Sequence, residues 1–114
     1  MADCLFCRIV AGEIPSAAVL ETPRVLVFRD IAPKAPTHLL AIPKDHHVTV
    51  VELAEADPAL AGELLAAAGR AARAEGLDGG YRLIVNTGDD SGWEVRHVHV
   101  HVLGGEPLGP LLAR

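Results

Sequence analysis

The six histidines of this chain fall in three places: His38, the pair His46-His47, and His97, His99 and His101, which alternate with Val98, Val100 and Val102. An extended strand turns successive side chains to opposite faces. The alternation therefore predicts three imidazoles in a row, roughly 6.5 Å apart at ~3.3 Å per residue. The valines would then face a core, and β-branched residues at period two favour a strand over a helix. Three titratable rings on one buried face are costly without a use. One use is metal binding, since imidazoles at i and i+2 can share an ion, although three spread over roughly 13 Å cannot all reach the same one. The other is nucleophilic attack on phosphorus. An imidazole does this well when its second ring nitrogen is hydrogen-bonded and neighbouring rings polarise the phosphate oxygens. Spacing alone leaves both open. His47, taken singly, reads as a surface or core residue. Cys4 and Cys7, three apart, read in a reducing compartment as a metal half-site or redox pair before a structural disulfide.

The chain that must position these groups has 114 residues, enough for one domain with a real core, and the expectation is a single domain over 1–114. Half the residues are apolar but only four are aromatic, so aliphatic side chains and alanine must fill the interior. The net charge is -5 and no two basic residues are adjacent, which argues against a long nucleic acid as partner. A small anionic ligand needs only local positive groups. No apolar run approaches the ~18 residues of a membrane span, and the N-terminus carries no leader pattern, so the expected location is the cytoplasm.

The elements follow in order. Asp3 can cap a short helix over 4–11, with Gly12 just past its end. Residues 17–21 and 24–29 read as an antiparallel pair around Thr22-Pro23, and Pro33 and Pro36 make 31–37 an extended loop. A third strand is expected over 38–42, closed by Pro43. Residues 46–53 read as mixed, with a helical turn leading onward. The clearest helix has Asp57 as N-cap, Pro58 at N1, apolar residues at helical spacing, and Gly76 beyond its end. Residues 81–86 read as a strand, 87–92 as a polar turn, and the histidine strand ends at Gly104-Gly105. This is an α+β domain with a mainly antiparallel sheet, a short N-terminal helix and one long helix.

The stretch His97-Val98-His99-Val100-His101-Val102-Leu103 resembles the histidine triad motif of the HIT superfamily, nucleotide hydrolases and transferases. The resemblance extends through Gly12-Glu13-Ile14-Pro15-Ser16, through Phe28-Arg29-Asp30-Ile31-Ala32-Pro33 and through Ala35-Pro36-Thr37-His38-Leu39-Leu40-Ala41-Ile42-Pro43-Lys44. With Leu103-Gly104-Gly105-Glu106-Pro107-Leu108-Gly109-Pro110 it is similar to bacterial members of the HINT branch. That resemblance implies the HIT fold, a homodimer, and hydrolysis of purine nucleoside phosphoramidates (AMP or GMP joined to an amine) through a nucleotidyl-histidine intermediate. His99 would be the nucleophile, with His101 and His38 orienting and polarising around it. Asn86 would contact the phosphate, and Asp30 would accept from the ribose hydroxyls, which suits a carboxylate. Phe6, Ile9, Phe28 and Leu40 match the wall of a base pocket, with Gly92 and Val95 also on the substrate side. Cys4, Cys7, His46 and His97 match the four ligands of a structural zinc site that takes no part in the chemistry. The alternatives are a dinucleoside polyphosphate hydrolase or nucleotidyltransferase, a nucleotide-binding regulator with little turnover, and a metal-binding module. One departure stands out. Relatives often have Gln-Ser or Gln-Thr where this chain has Trp93-Glu94, so Glu94 is expected to serve the leaving group in place of a hydroxyl.

Overall fold

The computed structural model describes residues 4–112. Its elements are α1 (Leu5–Val10), β1 (Ala18–Glu21), β2 (Val25–Arg29), β3 (Thr37–Pro43), α2 (Val50–Ala56), α3 (Pro58–Ala74), β4 (Tyr81–Ile84) and β5 (Val100–Gly104). A 3-10 turn, Asp89–Ser91, interrupts the connection between β4 and β5. The five strands form one antiparallel sheet in the order β1-β2-β3-β5-β4, so the strand carrying His101 is flanked on both sides. The expected α+β architecture is the one observed.

Register assigns the two faces. Phe28 pairs with Leu40, and Leu40 and Ile84 both pair with His101, so these side chains share one face. Val27, Ala41 and Val100 form the corresponding row on the other. Helix α3 covers that second face: Leu60, Leu64 and four buried alanines pack on Val25, Val27, Leu39, Val100 and Val102. Each of these leucines and valines contributes about 1.5–3 kcal/mol by leaving water. The opposite face carries a smaller cluster of Phe6, Leu26, Phe28, Leu40 and Ile42, closed by Ile9 and Val10 of α1 and by Val95. His101 belongs to this thinner side of the sheet.

Several boundaries differ from the sequence reading, each for a physical reason. The histidine strand starts only at Val100; residues 97–99 lie ahead of it. The ladder with β3 stops at Ala41 opposite Val100, and the amide of Val98 instead donates to the carbonyl of His47 at 2.8 Å. His97 and His99 are therefore outside the sheet, although the alternation persists, because Val98 still joins the helix-side core. Strand β4 ends at Ile84 rather than at Asn86 for the same want of a partner. The region before the long helix is a separate seven-residue helix, capped by Thr49, whose hydroxyl accepts from the Glu52 amide. Asp57 ends α2 and caps α3, because a residue before proline is pushed out of the helical region. Asp3 lies outside the described residues; within them the cap of α1 is Cys4, whose sulfur accepts from the Cys7 amide.

Candidate active site and metal centre

Two side-chain clusters lie on the thinner face, and they divide the histidines. In the first, Cys4 and Cys7 come from the end and first turn of α1, His46 from the loop after β3, and His97 from the segment before β5. One atom from each converges: Cys4 Sγ is 3.3 Å from His97 Nδ1, Cys7 Sγ is 3.4 Å from His46 Nδ1 and 3.6 Å from His97 Nδ1, and the two Nδ1 atoms are 3.2 Å apart. A tetrahedral ion bound at roughly 2.3 Å to sulfur and 2.0–2.1 Å to nitrogen spaces its ligand atoms about 3.3–3.8 Å apart. The donor set and the spacing therefore fit a metal ion. The His97 tautomer fits as well. Its Nε2–H donates to the Pro43 carbonyl at 2.8 Å, which leaves Nδ1 as a lone pair aimed at the sulfurs. Burial holds the His97 ring neutral, with its pKa down at about 4, and pushes the Cys7 thiol up to about 11, a rise to which the neighbouring Cys4 adds.

The second cluster is Asp30, His38 and His101. His38 Nε2 lies 2.9 Å from His101 Nδ1 and 3.5 Å from Asp30 Oδ2. The amide of Lys34 donates to His38 Nδ1 at 3.1 Å, so the His38 proton sits on Nε2 and is given to His101 Nδ1. That chain leaves His101 with its own proton on Nε2. A ring committed at both nitrogens in this way is a poor metal ligand, which separates this cluster from the first. Burial lowers the pKa of both rings, with His101 reaching about 4, so each is neutral as the hydrogen bonds require.

His99 lies between the clusters. Its ring is 5.0 Å from that of His101 and 5.1 Å from Phe6, edge-on to both. Nδ1 contacts the His97 carbonyl at 2.7 Å. A carbonyl only accepts, so Nδ1 carries the proton and Nε2 is an uncommitted lone pair. The residue is 7% exposed. A desolvated imidazole with a fixed tautomer and a free Nε2 can act as a nucleophile.

Residues 11–108 match the HIT domain family. The chain belongs to that family. It is 44% identical over 112 residues to the purine nucleoside phosphoramidase of Escherichia coli K12, spanning 97% of this chain and 94% of the relative. It is 40% identical over 104 residues to Protein HitA of Neisseria gonorrhoeae, spanning 91% and 97%. Among solved structures, a HIT family hydrolase from Clostridium thermocellum superposes with a TM-score of 0.93 at 39% identity, covering 99% of both chains. A HIT family hydrolase from Legionella pneumophila gives 0.89 at 47% identity, covering 94% and 96%. This HIT protein is a hydrolase of the superfamily.

The remaining sequence-predicted residues of the HIT domain separate into two groups. Phe6, Ile9, Phe28, Leu40 and Val95 come together as one apolar wall beside His99. Asp30 is close to His38, and its Oδ1 accepts from the Ala32 amide in a local turn. Asn86 is half-buried two residues past Ile84, the strand partner of His101. Glu94 is exposed and makes no side-chain hydrogen bond among the described residues, and Gly92 ends the 3-10 turn at φ 79°. These two are not brought against the histidines by any contact. Sequence reading missed three backbone groups that set the tautomers of His38, His97 and His99, and through His38 that of His101: the Lys34 amide and the carbonyls of Pro43 and His97. Main-chain groups leave no residue-type signal; only the prolines around Lys34 hinted at a fixed loop. A groove of about 600 Å³ lies elsewhere, between Leu77, Tyr81, Arg82, Pro107 and Leu108, and holds none of the histidines.

Proposed function

We propose that this protein is a purine nucleoside phosphoramidase, freeing an AMP- or GMP-type monophosphate from an amine through a nucleotidyl-histidine intermediate. The observation that carries the reading is the free Nε2 of His99, held by the bond from Nδ1 to the His97 carbonyl. In the first step Nε2 attacks phosphorus and forms a bond to it, while the substrate phosphorus–nitrogen bond breaks. The electron pair leaves with the amine nitrogen, which takes a proton from water. Water then attacks the phosphorus, releasing the monophosphate and restoring His99.

His101 serves as a donor from Nε2 to a phosphate oxygen, and His38 keeps it in that tautomer. Asn86 contacts the phosphate, Asp30 accepts from the ribose hydroxyls, and Phe6, Ile9, Phe28, Leu40 and Val95 wall the purine. Gly92 and Glu94 lie on the leaving-group side. Similarity to the E. coli phosphoramidase supports the substrate class. Cys4, Cys7, His46 and His97 hold a structural zinc ion. Four protein ligands leave it no open position, so it ties α1 to the triad segment and catalysis requires no cofactor.

The whole of residues 1–114 acts as one domain in the cytoplasm, where thiols stay reduced. Two chains pair as a homodimer. The β4 edge of the sheet, on which Tyr81 and Leu83 are exposed, supports that pairing.

Incubation with an adenosine phosphoramidate of a simple amine tests the function. AMP release with an acid-labile, alkali-stable nucleotide adduct on the protein is expected, and His99→Ala abolishes both. Binding without turnover would make the chain a regulator, and cleavage confined to dinucleoside polyphosphates would move it to that class.

A further inference from the structure

Helix α1 has six residues, too few to be stable alone, so its position depends on what holds it. Among the described residues, apart from contacts with the turn that directly follows it, such as Arg8 with Glu13, the polar contacts from α1 and its cap to the rest of the fold run through Cys4 and Cys7: to His97 from both sulfurs and to His46 from Cys7. Phe6 lies between those two cysteines. Its ring is 4% exposed and edge-on to three others, with centroids 5.1 Å from His99, 5.8 Å from His97 and 5.8 Å from Phe28. The ring is thus fixed at one end by the metal-ligand pair and rests at the other on the nucleophile.

We propose that Phe6 is a positioning residue that couples ligation at Cys4, Cys7, His46 and His97 to the orientation of the His99 ring, an inference that rests on the zinc reading above. His97 is a second path of the same coupling. Its ring belongs to the ligand set while its carbonyl receives the His99 Nδ1–H. Filling the four-ligand site draws α1 against the segment before β5 and clamps the His99 ring between Phe6 and that carbonyl. Emptying it frees α1, and with it the Phe6 edge of the clamp. The nucleophile keeps its residue type but loses part of its alignment, and a displacement near 1 Å at a reacting group costs about ten- to a hundredfold in rate.

The test combines zinc content, imidazole NMR of the substrate-free protein and steady-state kinetics on an adenosine phosphoramidate. Stripping zinc from the wild type with a chelator is expected to shift the His99 ring resonances and lower kcat about tenfold or more. Phe6→Leu loaded with one equivalent of zinc is expected to show a similar shift and a similar loss in kcat. Stripping that variant then changes kcat and the His99 resonances less than stripping the wild type does, because only the His97 path remains to be broken. Should Phe6→Leu fail to fold, Cys7→Ser, which removes a ligand and keeps the ring, must move the His99 resonances. A zinc-loaded Phe6→Leu with raised KM alone and unmoved His99 resonances would make Phe6 a pocket wall only and overturn the proposal. Zinc that binds and leaves without moving His99 also overturns it while sparing the zinc reading, and protein that takes up no zinc overturns both.

Discussion

At the scale of single residues, each histidine is defined by what its second nitrogen touches. His99 donates to a carbonyl and keeps Nε2 free; His97 donates to a different carbonyl and keeps Nδ1 free. The same side chain is thereby suited to nucleophilic attack in one place and to metal ligation in the other. His38 matters through the N–H it presents to His101. Replacing it by alanine is expected to lower kcat about ten- to a hundredfold. His38→Gln, whose amide can present an N–H at the same place, should retain most of the activity; equal losses in steady-state assays would sink this role. Glu94 is a different case, since no contact draws it to the site. If it serves the leaving group, Glu94→Ser will change the order of rates across a series of amine leaving groups, whereas a uniform change across the series would remove it from the mechanism.

At the scale of elements, the site depends on one loop and the end of one strand. Residues 31–36 carry the Lys34 amide that sets His38, and Pro36 in that loop lies against the turn after β5. Gly105 adopts φ 100°, and a Cβ there would sit 2.9 Å from the Pro36 Cβ. Gly109 has φ 81° with open space around it. Both positions disfavour a side chain, at about 1–3 kcal/mol for a non-glycine residue in such a conformation. Only Gly105→Ala also pushes on the loop. It should therefore lower the melting temperature more than Gly109→Ala and reduce turnover as well, while Gly109→Ala leaves kcat near wild type. Equal effects in paired melting curves and assays would show that the contact with Pro36 is immaterial.

At the scale of the molecule, zinc binding and pairing are the two proposed assembly events. Purified protein is expected to hold about one zinc per chain, and less than half an equivalent by metal analysis would count against the site. Because the Cys7 thiol must lose its proton to bind, zinc uptake releases protons and affinity rises with pH. In zinc-free protein the buried rings of His97 and His101 titrate near 4 instead of 6.5. The unfolded chain therefore binds more protons between those values. Stability from this source is complete above about 6.5 and is lost as pH falls towards 4, which melting curves across that range will show. The second proposed event is pairing. Leu83→Lys on the exposed edge strand is expected to shift a dimer to a monomer in sedimentation velocity, and an unchanged sedimentation coefficient would place the interface elsewhere.

Much of this molecule is legible in local patterns. Period-two valines, the Asp57-Pro58 helix start and the prolines of the loop specify strands, helix and turn, because periodicity and φ preferences act over a few residues. The family resemblance, carried by the same stretches, named the residues of both clusters. Local pattern could not say where the ladder stops. His97 and His99 look identical to His101 in sequence, yet they fall outside the sheet, since ladder partners on the neighbouring strands exist only up to Ala41 and Ile84. Nor could it assign the tautomers, which depend on the carbonyls of Pro43 and His97 and the amide of Lys34, groups that every chain has at every position. The alternation determined that three imidazoles share a side. Contacts between residues as far apart as Cys4 and His97, 93 positions along the chain, decided what surrounds each imidazole.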